Sequence, residues 1–123
     1  MMADAAHTPV VDTHVHAGTT KYEPVESLLD QMARHGVDHA VLIQHMGMFD
    51  NDYLVACAGA HRGRFAIACL VDVHEPGAAG RLDALVERHP AVQGIRLYLA
   101  DLFGGLPEAR ALWDRADALG LNI

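Results

Sequence analysis

Val10-Val11-Asp12-Thr13-His14-Val15-His16 reads as one short strand that ends in polar side chains. Valine and threonine favour extended backbone, and the run is followed by Gly18, a loop opener. Residues two apart on a strand point to the same face. His14 and His16 therefore project together, with Asp12 one step deeper on that face. Two neutral imidazoles so placed can share one divalent metal ion. A bare His-x-His spacing also arises without any metal. Asp12 has two readings as well: it orients a ligand histidine from behind, or it ties the strand end to the next loop.

Outward from this strand, β-type and helical runs alternate. Pro24 to His35 is predicted as a helix, with Leu28, Leu29 and Met32 as its apolar stripe and Gly36 as its stop. Ala40-Val41-Leu42-Ile43-Gln44 is apolar almost throughout, as expected for a strand buried on both faces. A helix from about Asp52 to His61 follows, then a strand from Phe65 to Val73. Ala79 to His89 is the third helix and Val92 to Leu99 the fourth strand. Pro107 to Leu119 is the fourth helix, with Leu112, Trp113 and Ala116 as expected core contacts. Leu121-Asn122-Ile123 resembles the beginning of a fifth strand.

Four strand–helix units in this order imply a parallel sheet with right-handed crossovers in one α/β domain spanning residues 1–123. Two architectures satisfy the pattern: half of a (β/α)8 barrel, which needs about 250 residues when whole, or a doubly wound sheet. Both place functional groups at the C-terminal ends of their strands, where His14 and His16 lie.

Composition narrows the function classes. Hydrophobic residues make up 51% and charged residues 20% of the 123 residues, so the chain is expected to bury a core. No run is long enough for a membrane span, and MMADAAHTPV does not look like a secretory leader, so a cytoplasmic protein is expected. A net charge of −7 argues against a nucleic-acid or anionic-membrane surface and leaves a small molecule as the expected partner. Cys57 and Cys69 form no paired motif and read as reduced core thiols. His35, His61 and His89 each end a helix, where an imidazole can meet the last carbonyls. His7 and His39 receive no role.

Other polar residues fall at the same sheet edge as His14 and His16. Gln44 and His45 end the second strand and His74 follows the third. Each is a candidate substrate contact; His45 and His74 are also candidate substitute metal ligands, with a solvent-facing loop histidine as the alternative. Arg96, late in the fourth strand, can clamp a carboxylate bidentately or form an ion pair with Asp72 or Asp101. Tyr98 shares the face of Arg96 and is a further substrate-binding candidate.

The segment Val11-Asp12-Thr13-His14-Val15-His16 resembles the first-strand metal motif of the amidohydrolase superfamily. Pro24-Val25-Glu26-Ser27-Leu28-Leu29, Asn51-Asp52-Tyr53-Leu54, Gly63-Arg64-Phe65-Ala66, Val71-Asp72-Val73 and Gly94-Ile95-Arg96-Leu97 are similar to the amidohydrolase-2 branch. That branch includes sugar lactonases, pyrone-dicarboxylate lactonases and amino-carboxymuconate-semialdehyde-type decarboxylases. The resemblance implies the N-terminal (β/α)4 half of a TIM-type barrel, ending at the start of strand 5. It implies one divalent metal, zinc or alternatively manganese, with His14 and His16 as ligands and Asp12 behind them. The family's other ligands and its catalytic aspartate fall on strands after Ile123. Residues 94–98 offer no bridging lysine or glutamate, which favours a single metal.

The resulting expectation is a metal-dependent hydrolase of a lactone or related C–O ester, acting on a small carboxylated or sugar-derived substrate through a metal-activated water. A non-oxidative decarboxylase of the same family is one alternative, and a catalytically inactive half barrel is another. The half barrel is expected to bind metal weakly by itself and to self-associate through its exposed sheet edge. A doubly wound binding domain has little support, because no GxGxxG or P-loop follows any strand.

Overall fold

A computed structural model describes residues 6–123. The chain alternates strands and helices: β1 (Val11–Val15), α1 (Val25–His35), β2 (His39–Ile43), α2 (Asp52–Ala60), β3 (Phe65–Leu70), α3 (Ala78–Arg88), β4 (Val92–Arg96), α4 (Leu99–Phe103) and α5 (Pro107–Ala118). The strands pair in parallel in the order β1-β2-β3-β4. Consecutive strands as neighbours make this a (β/α)4 half barrel, not a doubly wound sheet whose order reverses. Asn122 adds one parallel bridge to Gly94 at the β4 edge of the sheet.

The helices cover one face of the sheet. Ala40 and Leu42 of β2 and Ile67 and Cys69 of β3 join Leu54, Leu82 and Leu112 from the helices in one buried core. Each large aliphatic side chain there contributes about 1.5–3 kcal/mol by leaving water. α3 packs on α5, and the Glu108 carboxylate accepts the Ala78 N–H at the start of α3. Gly36 ends α1 with φ 68°, and its N–H bonds to the Met32 carbonyl. The other face is an open trough of about 390 Å³ whose walls include Thr13, Val41, Ile43, Ala66, Gln93 and Gly94. Its β1 edge carries Val10 and Val11, both about half exposed.

Four local features depart from the sequence expectation. β3 stops at Leu70 because the Asn51 amide takes over there: its Oδ1 accepts the Leu70 N–H and its Nδ2 donates to the Leu70 carbonyl. β4 stops at Arg96, and the chain then winds into α4, a five-residue helix that no periodicity announced. Trp113 stands partly exposed outside the core, while Leu112 and Ala116 on the same helix are fully buried. The side chains of His35, His61 and His89 make no hydrogen bond to a helix carbonyl among the described residues. The main-chain N–H groups of His61 and His89 cap their helices instead.

Both cysteines are free and buried. Burial raises the Cys57 thiol pKa, and that of Cys69 to about 11, so neither is a thiolate nucleophile at neutral pH. Among the described residues, no helix is long and apolar enough to cross a membrane.

Candidate active site at the C-terminal strand ends

β1 carries an irregularity that aims its polar residues. Asp12 pairs with Ala40 and Val15 with Leu42, so three steps on β1 match two on β2. An extra residue of this kind re-aims the side chains that follow it. The Asp12 carboxylate turns back to accept the His14 main-chain N–H at 3.1 Å and makes no bond to an imidazole. His14 and His16 nevertheless meet, their ring centroids 5.1 Å apart and nearly perpendicular.

His16 is held by the neighbouring strand. Its Nδ1 lies 2.7 Å from the Ile43 carbonyl oxygen. A carbonyl only accepts, so Nδ1 carries the proton and Nε2 keeps its lone pair. That is the arrangement a metal-ligating histidine adopts, with the second nitrogen bonded to a fixed acceptor. The residues present thus fit a divalent ion as two imidazole donors. Among the described residues, no group of three His, Cys, Asp or Glu side chains comes together to complete a metal shell.

Tyr22, from the loop between β1 and α1, stacks on His16 with centroids 4.6 Å apart and planes 25° from parallel. The ring of His45 tilts against Tyr22 at 5.4 Å. His45 is buried rather than solvent-facing, and its Nδ1 lies 3.3 Å from the Met46 carbonyl. Gln44 is buried too, and both ends of its amide are engaged: Nε2 donates to the Asp50 carbonyl and Oε1 accepts the His45 N–H.

Arg96 extends this group toward β4. Its guanidinium donates to the Gln44 carbonyl at 2.9 Å and sits 5.3 Å from the Tyr98 ring centre. It forms no ion pair with Asp72 or Asp101 among the described residues. Asp101 lies instead 3.5 Å from the exposed His74 ring, whose main-chain N–H bonds to Asp72. Arg96, Tyr98 and His74 line a cleft of about 390 Å³ with Phe49, Leu70 and Val73 as apolar walls. The Tyr98 hydroxyl is buried and has no hydrogen-bond partner among the described residues. A buried donor left unpaired is uncommon, and a polar ligand in the cleft is one way to satisfy it.

The sequence reading passed over Tyr22 and gave Asn51 no function beyond a family likeness. The signal for Tyr22 was an aromatic ring inside the polar loop Lys21-Tyr22-Glu23, just after the His-x-His strand. Asn51 carried no such signal, because its two bonds join residues 19 apart.

No protein-family model matches this chain, and no curated protein matches it. Solved structures do. A probable 2-pyrone-4,6-dicarboxylic acid hydrolase from Acinetobacter baumannii, with citric acid bound, superposes with a TM-score of 0.70 at 17% identity. That match covers 93% of this chain and 48% of the hydrolase. An apo protein from Agrobacterium tumefaciens gives 0.62 at 21% identity, over 89% of this chain and 44% of its own. The chain therefore spans less than half the length of the solved proteins it matches, and what it shares with them is the fold of a (β/α)4 half barrel.

Proposed function

We propose that these strands carry the first-strand portion of a metal-dependent hydrolase site that opens a lactone or related ester of a small carboxylated or sugar-derived molecule. One observation carries the reading: His16, its Nδ1–H fixed on the Ile43 carbonyl, leaves Nε2 open beside His14 at the C-terminal end of a parallel sheet. His14 and His16 would hold the ion, as two of the three protein donors that a catalytic zinc ordinarily takes. When bound, such an ion supplies an acidified water and polarises the carbonyl under attack.

The chain's own residues do the rest. Arg96 presents a guanidinium to the cleft, suited to a substrate carboxylate, while its bond to Gln44 fixes its position. The unpaired Tyr98 hydroxyl is free to donate a hydrogen bond to a substrate oxygen. Phe49, Leu70 and Val73 give the cleft apolar walls beside these two polar groups. The fold likeness to a dicarboxylic acid hydrolase holding citric acid supports a carboxylated substrate.

Metal retention after dialysis tests the reading. The wild type should retain more Zn2+ or Mn2+ than a His14→Ala/His16→Ala variant. Equal retention by the two proteins removes the shared-site claim.

A further inference from the structure

Three contacts converge on His16, and only two have a place in the reading so far. His14 meets its edge, and the Ile43 carbonyl takes its Nδ1–H. The third is the Tyr22 ring, 4.6 Å away and 25° from parallel. These contacts restrain different motions. The hydrogen bond selects which way round the imidazole sits, because only Nδ1–H can serve the carbonyl. Tilting about that bond bends and weakens it, so a ring left free to tilt no longer holds a single tautomer. A flat π face stacked on the imidazole opposes the tilt.

Tyr22 is itself braced. His45, two residues past the end of β2, leans on it at 5.4 Å. The loop that carries it closes on a main-chain bond from the Gly18 N–H to the Glu23 carbonyl, 3.0 Å long. The aromatic ring is thus wedged between two histidines, one just after β1 and one just after β2. Among the described residues the Tyr22 hydroxyl makes no hydrogen bond, so the contact is made by the ring face.

We propose that Tyr22 is a positioning residue: it fixes the plane of His16 so that Nε2 stays aimed for metal binding. The proposal rests on the metal reading of His14 and His16, and its test separates the two. Two measurements are made on wild type, Tyr22→Phe and Tyr22→Leu, with circular dichroism to confirm folding. The first is the His16 tautomer by long-range 1H–15N spectra at pH 8 without metal. The second is Co2+ affinity by titration.

Wild type and Tyr22→Phe should show His16 as a single Nδ1–H tautomer and bind Co2+ equally well. Tyr22→Leu should show mixed tautomers and bind about tenfold more weakly, the usual effect of removing a group that orients a ligand. Tyr22→Met, which fills the space without a flat ring, carries the test if the leucine variant does not fold. A Tyr22→Leu protein with the wild-type tautomer and affinity overturns the proposal. So does a Tyr22→Phe protein that weakens as much as Tyr22→Leu. A wild type that takes up no Co2+ overturns the metal reading, while the metal-free spectra still decide whether Tyr22 orients His16.

Discussion

Leu42 and Ile43 are neighbours on β2 and live in different surroundings. Leu42 faces the helices and is fully buried, whereas Ile43 looks into the open trough and is only half covered. The same contrast holds for the whole sheet. Its helix side is a closed apolar layer whose stability comes from area removed from water. Its trough side and strand ends hold the polar groups, whose positions depend on a few hydrogen bonds and ring contacts. Packing holds the first region, and individual contacts hold the second.

The contrast breaks most visibly if the helix side proves tolerant. Leu82 and Leu112 are fully buried between α3, α5 and the sheet. Leu82→Ala should cost about 2–5 kcal/mol, measured by urea unfolding, because the cavity adds to the lost transfer energy. A cost below that range would mean that this layer is loosely packed.

Asn51 is the hinge between the two regions. Asn51→Ala strands the buried N–H and carbonyl of Leu70. It should cost about 1–3 kcal/mol for each group left unpaired. Hydrogen exchange at Leu70 should quicken more than at Ile67, which keeps its main-chain bond to the Ala91 carbonyl.

Ile43→Ala should cost less than Leu82→Ala, about 1–2 kcal/mol, since Ile43 is only partly buried. A cost equal to that of Leu82→Ala would show that the trough is covered in solution. Arg96→Met probes function in the same region. It should abolish any citrate binding seen by calorimetry while leaving the Leu82 layer and its unfolding midpoint nearly unchanged.

The smallest effect is expected at the N-terminal end of the sheet. The Val10 N–H and the His7 side chain both bond to Asp38 and hold its carboxyl below its ordinary value of 3.8. A carboxylate depressed in the folded state stabilises above its unfolded pKa, and that contribution disappears as pH falls through the folded value. Asp38→Asn should therefore lower the urea midpoint slightly at pH 6 and leave it unchanged near pH 2. Because Asp38 is accessible to solvent, the shift should shrink with added salt.

Much of the fold was legible because it is written in local patterns. Leu28, Leu29 and Met32 mark α1, and the apolar run at Ala40 marks β2, so both elements are legible within a few residues of their observed ends. The site was legible only in part. The pairing of His14 with His16 follows from strand spacing, but the irregularity between Asp12 and Val15 depends on how β1 meets β2. α4 was missed because five residues are too few to show a helical period.

By itself the sequence determined that four strand–helix units alternate, that α1 carries an apolar stripe, and that two histidines end the first strand. These follow from residue spacing and side-chain chemistry, which act over a few positions. The tertiary structure alone decided that the strands run in sequential order and that Ile43 supplies the acceptor for His16. It also decided that Tyr22 lies flat on that ring and that Arg96 reaches Gln44 across 52 positions. Contacts between residues far apart in the chain exist only once the sheet has brought them together.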